Sequence, residues 1–202
     1  MGSDLVRKGG AISLLAFDEL SRKYDNFSVT VVGSLNRCTG IYSLTASERK
    51  HLTQIINNAS WLDYHDSLPN DKVLELAQQS HVGLLPTLGD SFGFSILEMQ
   101  ASGCPVITTD GEARSEIVDD GCGWLIGTKD IELYHGDEYG IRTRADVEAV
   151  SEVIKSRLKV IVQDILENPS IIKQKAVNSL DRIAAHHDPK KYSDELLKIY
   201  RS

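Results

Sequence analysis

Short apolar runs rich in β-branched residues, each stopped by a turn residue and followed by a helical pattern, constrain this chain most. "FSVTVVGSL" is closed by Gly33, "HVGLLP" is stopped by Pro86, and "CPVITT" and "GWLIG" follow further on. None alternates cleanly between apolar and polar, so they read as strands buried on both faces. "AISLLAFDELSRKY" places Ile12, Leu15, Ala16 and Leu20 at helical spacing. "TASERKHLTQIINN" opens on Thr45 or Ser47 as N-cap, and "PNDKVLELAQQS" on Asn70 or Asp71. "FSILEMQASG" is a helix ended by Gly103, and "ARSEIVDD" a short one. With a further short strand in "WLDYHDSL", about five strands alternate with helices, which implies an open, mostly parallel α/β sheet covered on both faces.

The chain of 202 residues fits one domain, spanning 1–202. "TKDIELYHGDEYGIRTR" breaks the rhythm and reads as a polar surface excursion near 128–144. The C-terminal helices of 145–202 come next, the first carrying Val147, Val150, Ile154, Leu158, Ile161 and Ile165 on one face. A formal net charge of -7 argues against nucleic-acid partners and anionic membrane surfaces, so any phosphate must be held by local groups. Cys38, Cys104 and Cys122 are an odd number without metal-ligand spacing, which suits free thiols in a reducing compartment. No apolar run approaches the roughly 18–20 residues that span a bilayer, and no leader pattern opens the chain. The expectation is a cytoplasmic protein without a transmembrane segment.

The densest chemistry lies in "PTLGDSFGFSILEMQASGCPVITTDG", where a strand gives way to a helix. Ligands of open parallel sheets sit beyond the carboxyl ends of strands, and a helix N-terminus there attracts anions. Gly89 and Gly93 allow close backbone approach, Asp90 stands on the loop, and Glu98 lies about one turn into the helix, where a carboxylate can take two ribose hydroxyls. The same pattern also suits a plain capped helix preceded by a turn acid. "RKGG" supplies a second half-site: Lys8, two glycines and a helix start, able to neutralise a diphosphate or simply to form a solvated basic turn. The glycines of "GCGWLIG" precede a strand and miss the dinucleotide spacing, and Gly33 has no P-loop lysine after it. His51, His65, His81, His135 and the His186-His187 pair read as surface or satisfied residues, with no metal site, and Cys104 as a packed thiol without a base beside it.

Taken in order, "RKGG…LLAF", "VTVVG", "LLPT…DSFGFSILEMQASGCPVITTD" and "SEIVDDGCGWLI" resemble the C-terminal domain of retaining glycosyltransferases built from two facing Rossmann-like domains. This is the group of glycogen synthase, sucrose synthase and bacterial polysaccharide mannosyl- and glucosyltransferases. The match runs from about Arg7 to Ile126, and the closing "YSDELLKIY" is similar to the family's terminal helix. The resemblance implies that Glu98 binds the nucleotide ribose. It implies that Asp90 and the amides of Phe92, Gly93 and Phe94 meet the donor sugar and phosphates, that Lys8 holds the diphosphate, and that Thr87 lies near the pyrophosphate or base. Two departures stand out. The first acid is usually glutamate, and Asp90 is one methylene shorter; Ser3 stands where an arginine is usual, as a cloning remnant or as a lost phosphate cation, and Arg7 is expected to point elsewhere.

The implied protein is the donor-binding half of a metal-independent hexosyltransferase in polysaccharide or glycoconjugate synthesis, with a sugar nucleotide as donor substrate and no separate cofactor. Its acceptor would be held by an N-terminal domain that this chain lacks, so the chain alone is expected to transfer nothing. The full enzyme could dock peripherally at a membrane. The alternatives are a sugar-nucleotide epimerase domain of the same fold, a non-catalytic nucleotide-binding module, and a purely structural or partner-binding domain.

Overall fold

The computed structural model describes residues 4–38, 40–131, 133–135 and 138–201. Ser3 therefore lies outside the described residues. The element order is α1 (Gly10–Leu20), β1 (Val29–Val32), α2 (Ala46–Asn58), β2 (Leu62–His65), α3 (Asn70–Gln79), β3 (Gly83–Leu85), α4 (Phe94–Ala101), β4 (Val106–Thr109), α5 (Arg114–Ile117) and β5 (Gly123–Ile126). The excursion at 128–144 holds a short antiparallel pair, β6 (Tyr134–His135) and β7 (Glu138–Tyr139). α6 (Arg144–Glu167), α7 (Ser170–His186) and α8 (Pro189–Arg201) complete the chain.

The five principal strands pair only in parallel and are flanked by helices, as the alternation predicts, and they fall into two sheets. β1 pairs with β2, and β3, β4 and β5 form a separate three-stranded sheet in that order. The reason is a missing neighbour: among the described residues no strand lies between β1 and β3.

β4 is central in its sheet, and all four of its residues are buried. Leu84, Ile107 and Trp124 share one face through the strand register, while Leu85, Thr108 and Leu125 share the other. The first face meets the larger apolar cluster, built from α1, α2 and α6; the second meets a smaller one around Ile96, Met99 and Ile117. Two threonines replace apolar residues at the end of β4 without leaving a polar group unpaired. Thr108 Oγ1 donates to the Leu85 carbonyl (2.8 Å) and Thr109 Oγ1 to the Thr87 carbonyl (2.8 Å).

Local rules account for two of the helix starts. Thr45 caps α2 in a reciprocal box with Glu48, and Thr143 does the same for α6 with Asp146. α3 departs from expectation: Pro69 is its N-cap, so Asn70 is already helical and Asp71 serves the first turn through its charge. Along α6 the buried residues step from Leu158 to Val162 to Ile165, leaving Ile161 half-buried beside them. Lys175 of α7 is buried, donating to the Gly123 carbonyl (2.8 Å) above the Trp124 ring. α8 is exposed along its whole length. No helix among the described residues is long and apolar enough to cross a membrane.

Candidate functional site

Two segments meet beyond the carboxyl ends of β1, β3 and β4. The first is the turn Asp4–Gly9, held by amide bonds from Lys8 to the Asp4 carbonyl (3.0 Å) and from Gly9 to the Val6 carbonyl (2.9 Å). Gly9 begins α1 with φ 78°, and a Cβ there would stand 2.0 Å from the Pro86 carbonyl oxygen. Only glycine permits both the dihedral and that approach. The turn is thus pressed onto the residue that ends β3.

The second is the loop Thr87–Gly93. Thr87 is buried, and its hydroxyl sits between the carbonyls of Arg7 (2.9 Å) and Gly89 (3.0 Å) while accepting from the Gly89 amide (3.1 Å). The Leu88 amide donates to the Arg7 carbonyl (2.8 Å), and the Arg7 guanidinium to the Gly89 carbonyl (3.1 Å). Arg7 therefore reaches the loop instead of pointing elsewhere. Lys8 makes a close ion pair with the Asp90 carboxylate, both side chains being largely shielded from water. Burial alone raises the Asp90 carboxyl. The hydrogen bond and charge of Lys8, the Phe92 amide and the charge of Arg114 outweigh that, holding it below the ordinary carboxylate range.

The loop ends at Gly93, which starts α4 with φ 88° and no side-chain cap. Ile96 donates back to the Gly93 carbonyl (2.8 Å), but the amides of Phe94 and Ser95 find no acceptor among the described residues. α1 likewise begins without a side-chain cap. The crevice is thus flanked by the positive dipole ends of two helices, that of α4 with free donors, a pairing that favours an anion. Phe94 and Glu98 are both exposed and lie four residues apart, hence on one face of α4. Glu98 has no hydrogen bond or ion pair through its carboxylate among the described residues. The rings of Phe92 and Phe94 pack at 4.9 Å between centroids, both exposed.

Two residues at the site escaped the sequence reading. Arg114 is buried beneath the loop, its Nε donating to the Thr109 carbonyl (3.0 Å) and its Nη1 to the Asp90 carbonyl. Burial lowers its pKa against the pull of Glu112 and Asp90, and as a guanidinium it stays charged. Besides a long contact to the Glu112 carboxylate (3.4 Å), its partners are carbonyls, that of Asp90 brought near only by the fold, so "GEARSEIV" offered no signal. The second is Tyr42, on the loop after β1, whose hydroxyl would lie 3.7 Å from a Cβ placed at Gly89. Burial raises its phenol.

The histidines and cysteines stay outside the crevice. His65 pairs with Asp63 and His135 with Asp146. The three thiols are free and buried, that of Cys104 pushed up to about 12 by burial. Among the described residues no group of three or more His, Cys, Asp or Glu is arranged to hold a metal.

A family model described as glycosyl transferases group 1 matches residues 1–136, more than half of the chain. The chain belongs to that family. Its fold is shared with solved GT-B glycosyltransferases. Sucrose-phosphate synthase from Thermosynechococcus elongatus superposes with a TM-score of 0.68 at 18% identity, covering 96% of this chain and 42% of that one. Anabaena HepE in complex with UDP gives 0.70 at 14% identity, covering 100% and 47%. The C-terminal domain of a group 1 family protein (LpcC) from Francisella tularensis gives 0.64 at 17% identity, covering 91% and 81%. The chain thus spans less than half the length of the first two. No match to it was found among curated proteins.

Proposed function

We propose that the crevice between Lys8 and Glu98 binds a nucleoside-diphosphate sugar and that the chain is the donor-binding half of a retaining hexosyltransferase of polysaccharide or glycoconjugate synthesis. The observation that carries this reading is the junction itself. Two glycine-started helix N-termini and the Lys8–Asp90 pair lie together at the carboxyl ends of the strands. The UDP held by the Anabaena neighbour supports the same ligand class at the level of the fold.

In this reading Glu98 takes the ribose hydroxyls, and the Phe92–Phe94 main chain receives the phosphates. Lys8 neutralises the departing diphosphate, for which it must share or release Asp90, and Asp90 is then free to accept from a sugar hydroxyl. Thr87 and Arg7 act from beneath by fixing the loop. The chemistry asked of these groups is charge stabilisation aimed at the leaving group, with no protein metal required. The acceptor belongs to a second domain facing this crevice, in keeping with relatives roughly twice as long, and the full enzyme works in the cytoplasm or docked at a membrane face.

A panel of UDP, GDP, ADP and their sugars, read by thermal shift and calorimetry, tests the reading. One nucleoside diphosphate should raise the melting temperature, and Lys8→Ala should weaken its binding about 10- to 100-fold, as loss of a charge-assisted contact does. Absence of binding by every member of the panel would refute it. Turnover of a sugar nucleotide by this chain alone would refute the division of labour between two domains.

A further inference from the structure

Among the described residues Glu112 is the only one other than glycine with a positive φ, 51°. Glycine takes this left-handed conformation freely, whereas a residue with a Cβ is uncommon there. Such outliers cluster at ligand clamps and active sites, where the side chain is worth the strain. Glu112 stands three residues past the end of β4, the central strand of its sheet. That is the edge at which open parallel sheets bind their ligands.

The other polar side chains around Glu112 are already engaged. The Thr109 hydroxyl donates to the Thr87 carbonyl (2.8 Å), and the Asp110 carboxylate accepts from the amide (2.8 Å) and hydroxyl (2.6 Å) of Thr128. Arg114 is held by the Thr109 and Asp90 carbonyls. Glu112 is exposed, and its carboxylate has one partner among the described residues, Arg114 Nη1, at a long 3.4 Å. The same nitrogen donates to the Asp90 carbonyl, so the Glu112 carboxylate is tethered beside the Asp90 loop. A Cβ at Gly111 would stand 2.5 Å from Arg114 Nη2, so the chain just before Glu112 lies against that guanidinium too. The acid is thus held at the crevice with most of its acceptor capacity unused.

We propose that Glu112 is a second acid of the crevice: tethered by Arg114, it accepts a hydrogen bond from a hydroxyl of the hexose carried on the nucleotide. The assignment rests on the reading of the crevice as a sugar-nucleotide site. A carboxylate repels a diphosphate and accepts from hydroxyls, so Glu112 serves the sugar and leaves the phosphates to Lys8 and the α4 amides. Asp90 reaches the sugar in the same reading. Two acids linked through one guanidinium then fix two hydroxyls of one ring, which makes Glu112 a determinant of which hexose is carried.

Calorimetry on the unaltered chain, Glu112→Gly and Glu112→Gln is the test, with UDP, GDP and ADP set against UDP-glucose, UDP-galactose, GDP-mannose and ADP-glucose. Glycine suits the left-handed dihedral, so the first variant should stay folded; the second keeps the side chain and loses only the charge. Glu112→Gly should bind the nucleoside diphosphate as the unaltered chain does and its sugar nucleotide about 10-fold more weakly, as loss of a charge-assisted hydrogen bond does. Glu112→Gln should fall between. Equal weakening of diphosphate and sugar nucleotide would make Glu112 a brace for Arg114 and overturn the proposal. Unchanged affinity of both variants for every sugar nucleotide would overturn it as well. Failure of the unaltered chain to bind any of the three diphosphates would instead remove the reading of the crevice, and the role of Glu112 with it.

Discussion

β4 has a partner on each side and four buried residues, whereas β1 has a partner on one side only and leaves Thr30 at the surface. The difference extends to what each half carries. The Asp90 loop hangs from the three-stranded sheet by side-chain bonds from Thr109 and Arg114. The Lys8 turn is tied to the β1 half by the Asp4–Ser34 bridge and by Leu5 and Val6, buried in the larger apolar cluster with Val29 and Val31, and to that same loop by its stitches. The acid wall of the crevice is therefore built on a strand paired on both sides, and the cationic wall beside one paired on one side only. Loops that bind are usually the less stable parts of a scaffold, and here the asymmetry assigns that role to the Lys8 side.

The contrast can be broken most sharply on the two strands. Ile107→Ala, on the strand paired on both sides, should cost about 2–5 kcal/mol, and Val31→Ala, on the strand paired on one side only, about 1–2 kcal/mol. Equal losses in denaturant unfolding would mean that both halves are packed alike. Next in size is Arg114→Ala, which strips the Thr109 and Asp90 carbonyls of a buried donor and should destabilise by about 2–3 kcal/mol. Arg114→Lys should not restore this, since an ammonium lacks the fork that spans two carbonyls; full recovery by lysine would show that only charge matters there. Glu98→Ala should leave stability within about 0.5 kcal/mol yet weaken nucleoside-diphosphate binding about 10-fold. Loss of folding instead would make Glu98 a structural residue.

The smallest effect sits far from both cores. The Arg142 amide, against burial and with help from Thr143 and His135, holds the Asp146 carboxyl down to about 2. A carboxylate lowered by folding contributes fully above its unfolded value near 4 and loses that contribution as pH falls toward 2. Asp146→Asn should therefore flatten the acid side of the stability curve between about pH 4 and 2, with no change at neutral pH in the slope. An unaltered acid limb in a chemical-denaturation series would dismiss this cap as a contributor.

What the residues announced and what they concealed follow from range. Alternation of β-branched runs with helical periods identified the five parallel strands, and Thr45 or Ser47 announced a helix start, because such patterns act over a few positions. Periodicity counts strands without saying which of them touch, so the vacancy between β1 and β3 left no trace in "VTVVG" or "HVGLLP". At the crevice, Asp90 and Glu98 stood out by spacing around Gly93, and "RKGG" by its glycines. The partnership of Lys8 with Asp90 spans 82 positions, and Arg7 reaches Gly89 across the same distance. Arg114 finds the Asp90 carbonyl, and the Thr87 hydroxyl that of Arg7, only after the sheet assembles. Long-range polar closure of this kind is written in the fold and not in any local motif.

Amide and lysine side-chain NMR during a titration with the nucleoside diphosphate that binds tests the central claim most directly. Shifts concentrated at Gly9, Phe92–Ser95 and the Lys8 ammonium, with Arg114 and the β4 amides nearly still, are the predicted result. Shifts confined to the groove between β1 and β3, or to the exposed face of α8, with Lys8 and Phe94 unmoved, would contradict it.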